Sequence, residues 1–136
     1  MASGPIFTDT SAWYAYVDKS DSDHVAAVKL VENLNRPLMT SNYIFDETLT
    51  LVKLRMGYHV AINVGQKLWS QEVGGLVRIT EEDESRAWDI FVQYEDKGFS
   101  FTDCTSFAIM ERLKIDTAFA FDDHFSQYGK FVVIPT

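Results

Sequence analysis

Residues 5–17 read PIFTDTSAWYAYV, and the change of pattern inside this stretch sets the fold class. Pro5 to Thr8 is a short apolar run of the kind that forms a buried strand. A helix follows, with an apolar side that includes Ala12, Trp13, Tyr16 and Val17. Between strand and helix stands Asp9, a carboxylate beside an apolar segment. The alternation then repeats along the chain. After Ser22 and Asp23, the residues Ala27, Leu30, Val31 and Leu34 recur at helical spacing until Pro37 bars continuation. An extended piece near Leu38 to Thr40 leads into a helix that carries Glu47 and should end by Gly57. A further helix from about His59 to Gln71 stops at Gly74 and Gly75. Leu76 to Ile79 reads as a strand, and Thr80 with Asp83 forms a helix-starting capping pair. The next helix buries Ala87, Ile90, Phe91 and Tyr94 and leaves Glu81, Glu82, Glu84 and Asp89 solvated until Gly98 ends it. Phe99 to Phe101 reads as extended and Thr102 as the N-cap of a helix that turns Ser106, Ile109, Met110 and Leu113 inward. Thr117 to Phe121 and Phe131 to Ile134 close the chain as strands. Strands and helices alternating at this spacing indicate an α/β domain with a mainly parallel central sheet and helices on both faces, one domain over residues 1–136.

Composition narrows the classes. At 136 residues with 46% hydrophobic and 14% aromatic residues, the chain can bury one core and is not a disordered segment. No 18-residue apolar run is present and the N-terminus lacks a basic region followed by an apolar one, so the expected setting is cytoplasmic. The single Cys104 excludes an internal disulfide, and His24, His59 and His124 lack zinc-site spacing. A net charge of −8 argues against broad electrostatic binding of nucleic acid, but not against a nuclease, because bound metal reverses the local sign. Lys53, Arg55, Arg78, Lys97, Arg112, Lys114 and Lys130 remain available for phosphates.

Four carboxylates carry the functional information: Asp9 in FTDTS, Glu47 in SNYIFDETL, Asp103 in FSFTDCTSF and Asp122 in AFAFDDHF. The first, third and fourth follow β-type runs, near strand C-termini where open α/β sheets place ligand sites. Glu47 shares a helical face with Tyr43, Thr50, Leu51 and Leu54, which is expected to be core. Two carboxylates about 5 Å apart repel by roughly 3 kcal/mol at an effective dielectric near 20, so a converging cluster requires a cation or protonation. Oxygen-only ligands select Mg²⁺ or Mn²⁺ before zinc. Each acid taken singly also has a plain role: Asp9 as a cap, Asp103 as a first-turn charge on the helix dipole, Asp122 as a turn residue beside the better solvated Asp123. Ser11 suits either a bond to a neighbouring carboxylate or helix capping. His124 beside Phe125 reads as structural, Cys104 as a small packed residue, and Trp13, Trp69 and Trp88 as core.

In these motifs, and in their order and spacing over nearly the whole chain, the sequence resembles the PIN-domain ribonucleases, and among them the VapC-type toxins of prokaryotic toxin-antitoxin pairs. The resemblance implies a three-layer fold and a Mg²⁺- or Mn²⁺-dependent endoribonuclease. Asp9, Glu47, Asp103 and Asp122 match the family's metal-binding acids. Asp122 is preferred over Asp123 because the family's acid stands two residues before the His-Phe pair, which leaves Ser11 and Asp123 as supporting residues. Cys104 occupies a position where alanine is common. An RNA substrate such as tRNA or ribosomal RNA, a cognate antitoxin and a homodimer are also implied. Other readings are an RNA-processing nuclease without a toxin role, a non-catalytic module for RNA or protein, and a phosphatase of the haloacid-dehalogenase type. The last would place a second aspartate where this chain has Ser11.

Overall fold

The order in which strands lie side by side decides where a site can form, and here it differs from their order in the chain. In the computed structural model, which describes residues 4–136, strands β1 (Ile6–Thr8), β2 (Leu38–Ser41), β3 (Gly75–Val77), β4 (Thr117–Phe119) and β5 (Val132–Ile134) form one sheet. Its order is β3-β2-β1-β4-β5 and every pairing is parallel. Helices α1 (Thr10–Val17) and α2 (His24–Asn33) connect β1 to β2, and α3 (Asn42–Met56) and α4 (Tyr58–Trp69) connect β2 to β3. Helices α5 (Glu81–Gln93) and α6 (Phe101–Leu113) then carry the chain back to β4, on the other side of β1, and α7 (His124–Tyr128) joins β4 to β5. The direction of winding therefore reverses between β1 and β4, whose C-terminal ends flank a crevice of the kind α/β sheets use for ligands.

Period-two alternation builds the two layers around the sheet. Ile6 and Phe119 pack with Ala12, Ala15 and Ala27 of α1 and α2, while Phe7 and Ala118 pack with Phe107, Ile109 and Phe125. Phe7, Phe107, Phe119 and Phe125 are fully buried, each contributing about 1.5–3 kcal/mol before conformational entropy is counted. Gly57, at φ 95°, ends α3 and turns the chain into α4, a backbone angle that side chains with a Cβ rarely adopt. No helix of the described residues is long and apolar enough to cross a membrane.

Several expectations need correction. Phe99 to Phe101 is not a strand: Phe101 opens α6, and the N-cap is Ser100 rather than Thr102. The Ser100 hydroxyl accepts from the Asp103 N–H at 3.0 Å and the Asp103 carboxylate accepts from the Ser100 N–H at 2.9 Å, a capping box that satisfies both donors locally. Phe99 is instead a buried loop residue, its ring 5.0 Å from that of Phe107. The Glu47 face of α3 is not core either. Ile44, Thr48 and Val52 face inward, whereas Thr50 and Leu54 are exposed and Tyr43 and Leu51 lie at the rim. Trp69 and Trp88 are more than half exposed, and Tyr16, Phe91 and Leu113 also reach the surface; only Trp13 of the tryptophans is core.

Candidate metal centre

Asp9 follows β1 directly and caps α1. Its Oδ2 accepts from the Ser11 N–H at 3.2 Å and from the Ser11 hydroxyl at 2.7 Å. The Ser11 Oγ in turn accepts from the Phe121 N–H at 3.0 Å, and the Asp9 N–H donates to the Phe119 carbonyl at 3.0 Å. The start of α1 is thus strapped to the segment that leaves β4 and carries Asp122. Asp122 accepts from the His124 N–H at 3.1 Å, which holds it at the turn into α7. Asp103 stands at the third position of α6, oriented by the capping box with Ser100. Glu47 projects half-buried from α3 beside Thr10.

The charges respond to one another across these elements. Burial raises Asp9 well above its ordinary 3.8, the charge of Asp122 adds to this and Asp103 adds further, against the Ser11 bond. Asp103 is raised by burial, which outweighs the Ser100 bonds and the neighbouring His124, with Asp122 again adding. Glu47 is raised by burial, opposed by Thr10, with Asp103 and Asp122 contributing. Asp122 is therefore a shared electrostatic neighbour of the other three acids, which lie far apart in sequence.

The structure also brings in a residue that sequence reasoning treated as structural. One donor atom each from Asp103, Asp122 and His124 lie within 4.8 Å of one another. His124 Nδ1 is 2.7 Å from Asp103 Oδ2, yet out of line for a hydrogen bond, so this buried nitrogen has no well-directed partner. The signal available in the sequence was its place two residues after Asp122, where the backbone turn brings both side chains to one spot. Asp123, the other supporting candidate, is exposed, and its side chain makes no capping bond at the start of α7. Cys104 is buried and its thiol is pushed up to about 11, which makes it inert.

Asp83 shows what a satisfied buried carboxylate looks like here. It is 1% exposed, and burial works against its charge, yet Arg112 donates to it twice, at 2.7 and 2.9 Å, and Thr80 caps with it, so it is held below the ordinary range. No Arg or Lys pairs with Asp9, Asp103, Asp122 or Glu47 among the described residues. Clustered carboxylates, three of them raised by burial with the charge of Asp122 adding, together with a buried nitrogen lacking a directed partner, fit a divalent cation bound mainly by oxygen. Arg112, Lys97 and Lys130 are engaged with Asp83, Asp96 and Glu111, leaving fewer cations for phosphates than the sequence offered.

The family described as the PIN domain matches residues 6–131, and the chain belongs to it. Among individual relatives it is 36% identical over 130 residues to the 23S rRNA-specific endonuclease VapC20 of Mycobacterium tuberculosis, covering 96% of this chain and 98% of that one. It is 29% identical to the ribonuclease VapC26 of the same species, over 93% of this chain and 98% of the relative. The crystal structure of M. tuberculosis VapC20, a Sarcin-Ricin loop cleaving toxin, superposes with a TM-score of 0.89 at 35% identity, covering 96% and 99% of the two chains. VapBC2 from Rickettsia felis, solved on a promoter DNA fragment, shares the fold at a TM-score of 0.66 and 13% identity, with 95% and 96% coverage.

Proposed function

We propose that this chain is a divalent-metal-dependent endoribonuclease that hydrolyses RNA phosphodiesters as the toxin of a VapBC-type pair, with ribosomal RNA as the substrate class. The observation that carries the chemistry is the raising of Asp9, Glu47 and Asp103 by burial, with the charge of Asp122 adding to each, where no Arg or Lys among the described residues pairs with them. These four would hold Mg²⁺ or Mn²⁺, and the bound cation would supply the charge that activates water and steadies the leaving oxygen. Ser11 fixes Asp9 and Ser100 fixes Asp103, so both carboxylates are oriented before substrate arrives. The substrate class rests on the 36% identical relative that spans the chain.

A cognate antitoxin, a homodimer and a cytoplasmic setting complete the reading. An apolar groove of about 360 Å³ between α1 and α4, lined by Trp13, Tyr16, Val60, Val64 and Leu68, offers a protein partner a seat away from the acids. The test is cleavage of ribosomal RNA by purified protein. Activity should require Mg²⁺ or Mn²⁺, stop in excess chelator and vanish in Asp103→Asn. Undiminished cleavage in chelator, absent from the Asp103→Asn preparation, would exclude the metal mechanism while leaving a nuclease. Intact rRNA but cut tRNA would correct the substrate class alone.

A further inference from the structure

We propose that His124 is a direct ligand of the cation, through Nδ1, alongside Asp103 and Asp122, and that this nitrogen biases the site toward Mn²⁺ over Mg²⁺. The inference rests on the reading above that the acidic crevice binds a divalent cation, and it adds a donor of different chemistry to the four oxygen ligands. Three observations carry it. The ligand atoms of Asp103, Asp122 and His124 lie within 4.8 Å of one another, close enough to share one ion. Nδ1 is buried 2.7 Å from Asp103 Oδ2 with no directed hydrogen bond, whereas buried polar atoms are ordinarily paired. The ring lies edge-on against Phe99, with centroids 5.8 Å apart, and the His124 backbone N–H donates to Asp122 Oδ1 at 3.1 Å, which ties the two residues together. Nε2 lies toward Gly98.

The electrostatics favour an imidazole at this place. Asp103 and Asp122 already share this spot, and a neutral donor completes a coordination shell there without adding repulsion. Mg²⁺ takes oxygen almost to the exclusion of nitrogen, while imidazole affinity grows along the first transition row, so exchanging one oxygen for nitrogen favours Mn²⁺.

The experiment is pulsed EPR of the full chain, stripped by chelator and loaded with one equivalent of Mn²⁺. Wild-type protein should show modulation from a directly bound histidine ¹⁴N, replaced by the ¹⁵N pattern when the protein is grown on ¹⁵N-histidine. The signal should disappear in His124→Gln, and the preference for Mn²⁺ over Mg²⁺, read from titrated thermal melts, should fall about tenfold. If His124→Gln does not fold, His24→Gln and His59→Gln assign the signal by leaving it unchanged. Bound Mn²⁺ without histidine coupling overturns this inference and leaves the proposed function standing. A wild-type chain that binds neither Mn²⁺ nor Mg²⁺ overturns both.

Discussion

Asp9 performs two tasks with one carboxylate: Oδ2 caps α1 through Ser11, while the charge lies in the crevice with Asp122. Asparagine keeps a capping oxygen and removes the charge, so the two tasks separate. Because Asp9 is raised above 3.8, the folded protein binds more protons than the unfolded chain at pH values above that point. Metal-free wild-type stability attributable to this group is present at low pH and declines as pH rises through the folded value. Asp9→Asn should therefore melt at or above wild type in chelator, by a margin that widens with rising pH, while cleavage is lost. A melting temperature unchanged at every pH, with cleavage intact, would mean that Asp9 is only a cap. Asp83→Asn should behave with the opposite sign. Its lowered carboxylate contributes stability above the ordinary 3.8 that is lost as pH falls through its folded value, so the substitution should destabilise at neutral pH and leave metal binding unchanged.

The same contrast governs α5 and α6, which both start with a capping box and differ in what the box is used for. Thr80 and Asp83 anchor α5 to Arg112 of α6, whereas Ser100 and Asp103 aim a carboxylate at the crevice. Ser100→Ala should cost about 1 kcal/mol of stability and also weaken metal binding and turnover, with Ser100→Asn restoring both. Equal activity in Ser100→Ala and wild type would show that the cap does not position Asp103. Arg112→Ala strands Asp83, and because the arginine is one-third exposed the loss should be about 1–3 kcal/mol, without a change in the metal-induced melting shift. The sequence announced the α5 box at Thr80 and Asp83 outright. The α6 box is obscured because Phe99, Ser100 and Phe101 alternate as a strand does, which masks the competing signal of Ser100 three residues before Asp103.

At the scale of the whole molecule, the reversal of winding sets β1 beside β4, and the charge of Asp122, in the turn after β4, acts on Asp9, Glu47 and Asp103. Metal should stabilise the fold by mass action, about 2.7 kcal/mol when the cation is at a hundred times its dissociation constant. Calorimetric melts with and without Mg²⁺ or Mn²⁺ check this, and the shift should shrink in each of Asp9→Asn, Glu47→Gln, Asp103→Asn and Asp122→Asn. Expression without a partner should arrest growth, and co-expression of the cognate antitoxin should restore it. Unimpaired growth with folded, metal-binding protein would count against the toxin role and not against the nuclease.

The sequence by itself determined the α/β class, the helix faces that hold Ala27, Ala87 and Ile90, the α5 cap and the candidate acids, because period and capping are local properties that a few neighbouring residues satisfy among themselves. The family resemblance then assigned those acids a role before any geometry was known. What only the tertiary structure decided was the fate of each charge. Asp83 and Asp103 occupy equivalent positions in two capping boxes, and nothing in their immediate surroundings tells them apart. Arg112 reaches one across a helix pair, while Asp122 and His124 reach the other from the turn between β4 and α7. The same distance-blindness hid His124, placed Glu47 on the rim and left Trp88 in solvent. Whether a carboxylate is neutralised, crowded or hydrated depends on which partners lie within a few ångströms of it, and that is set by strand order rather than by position in the chain.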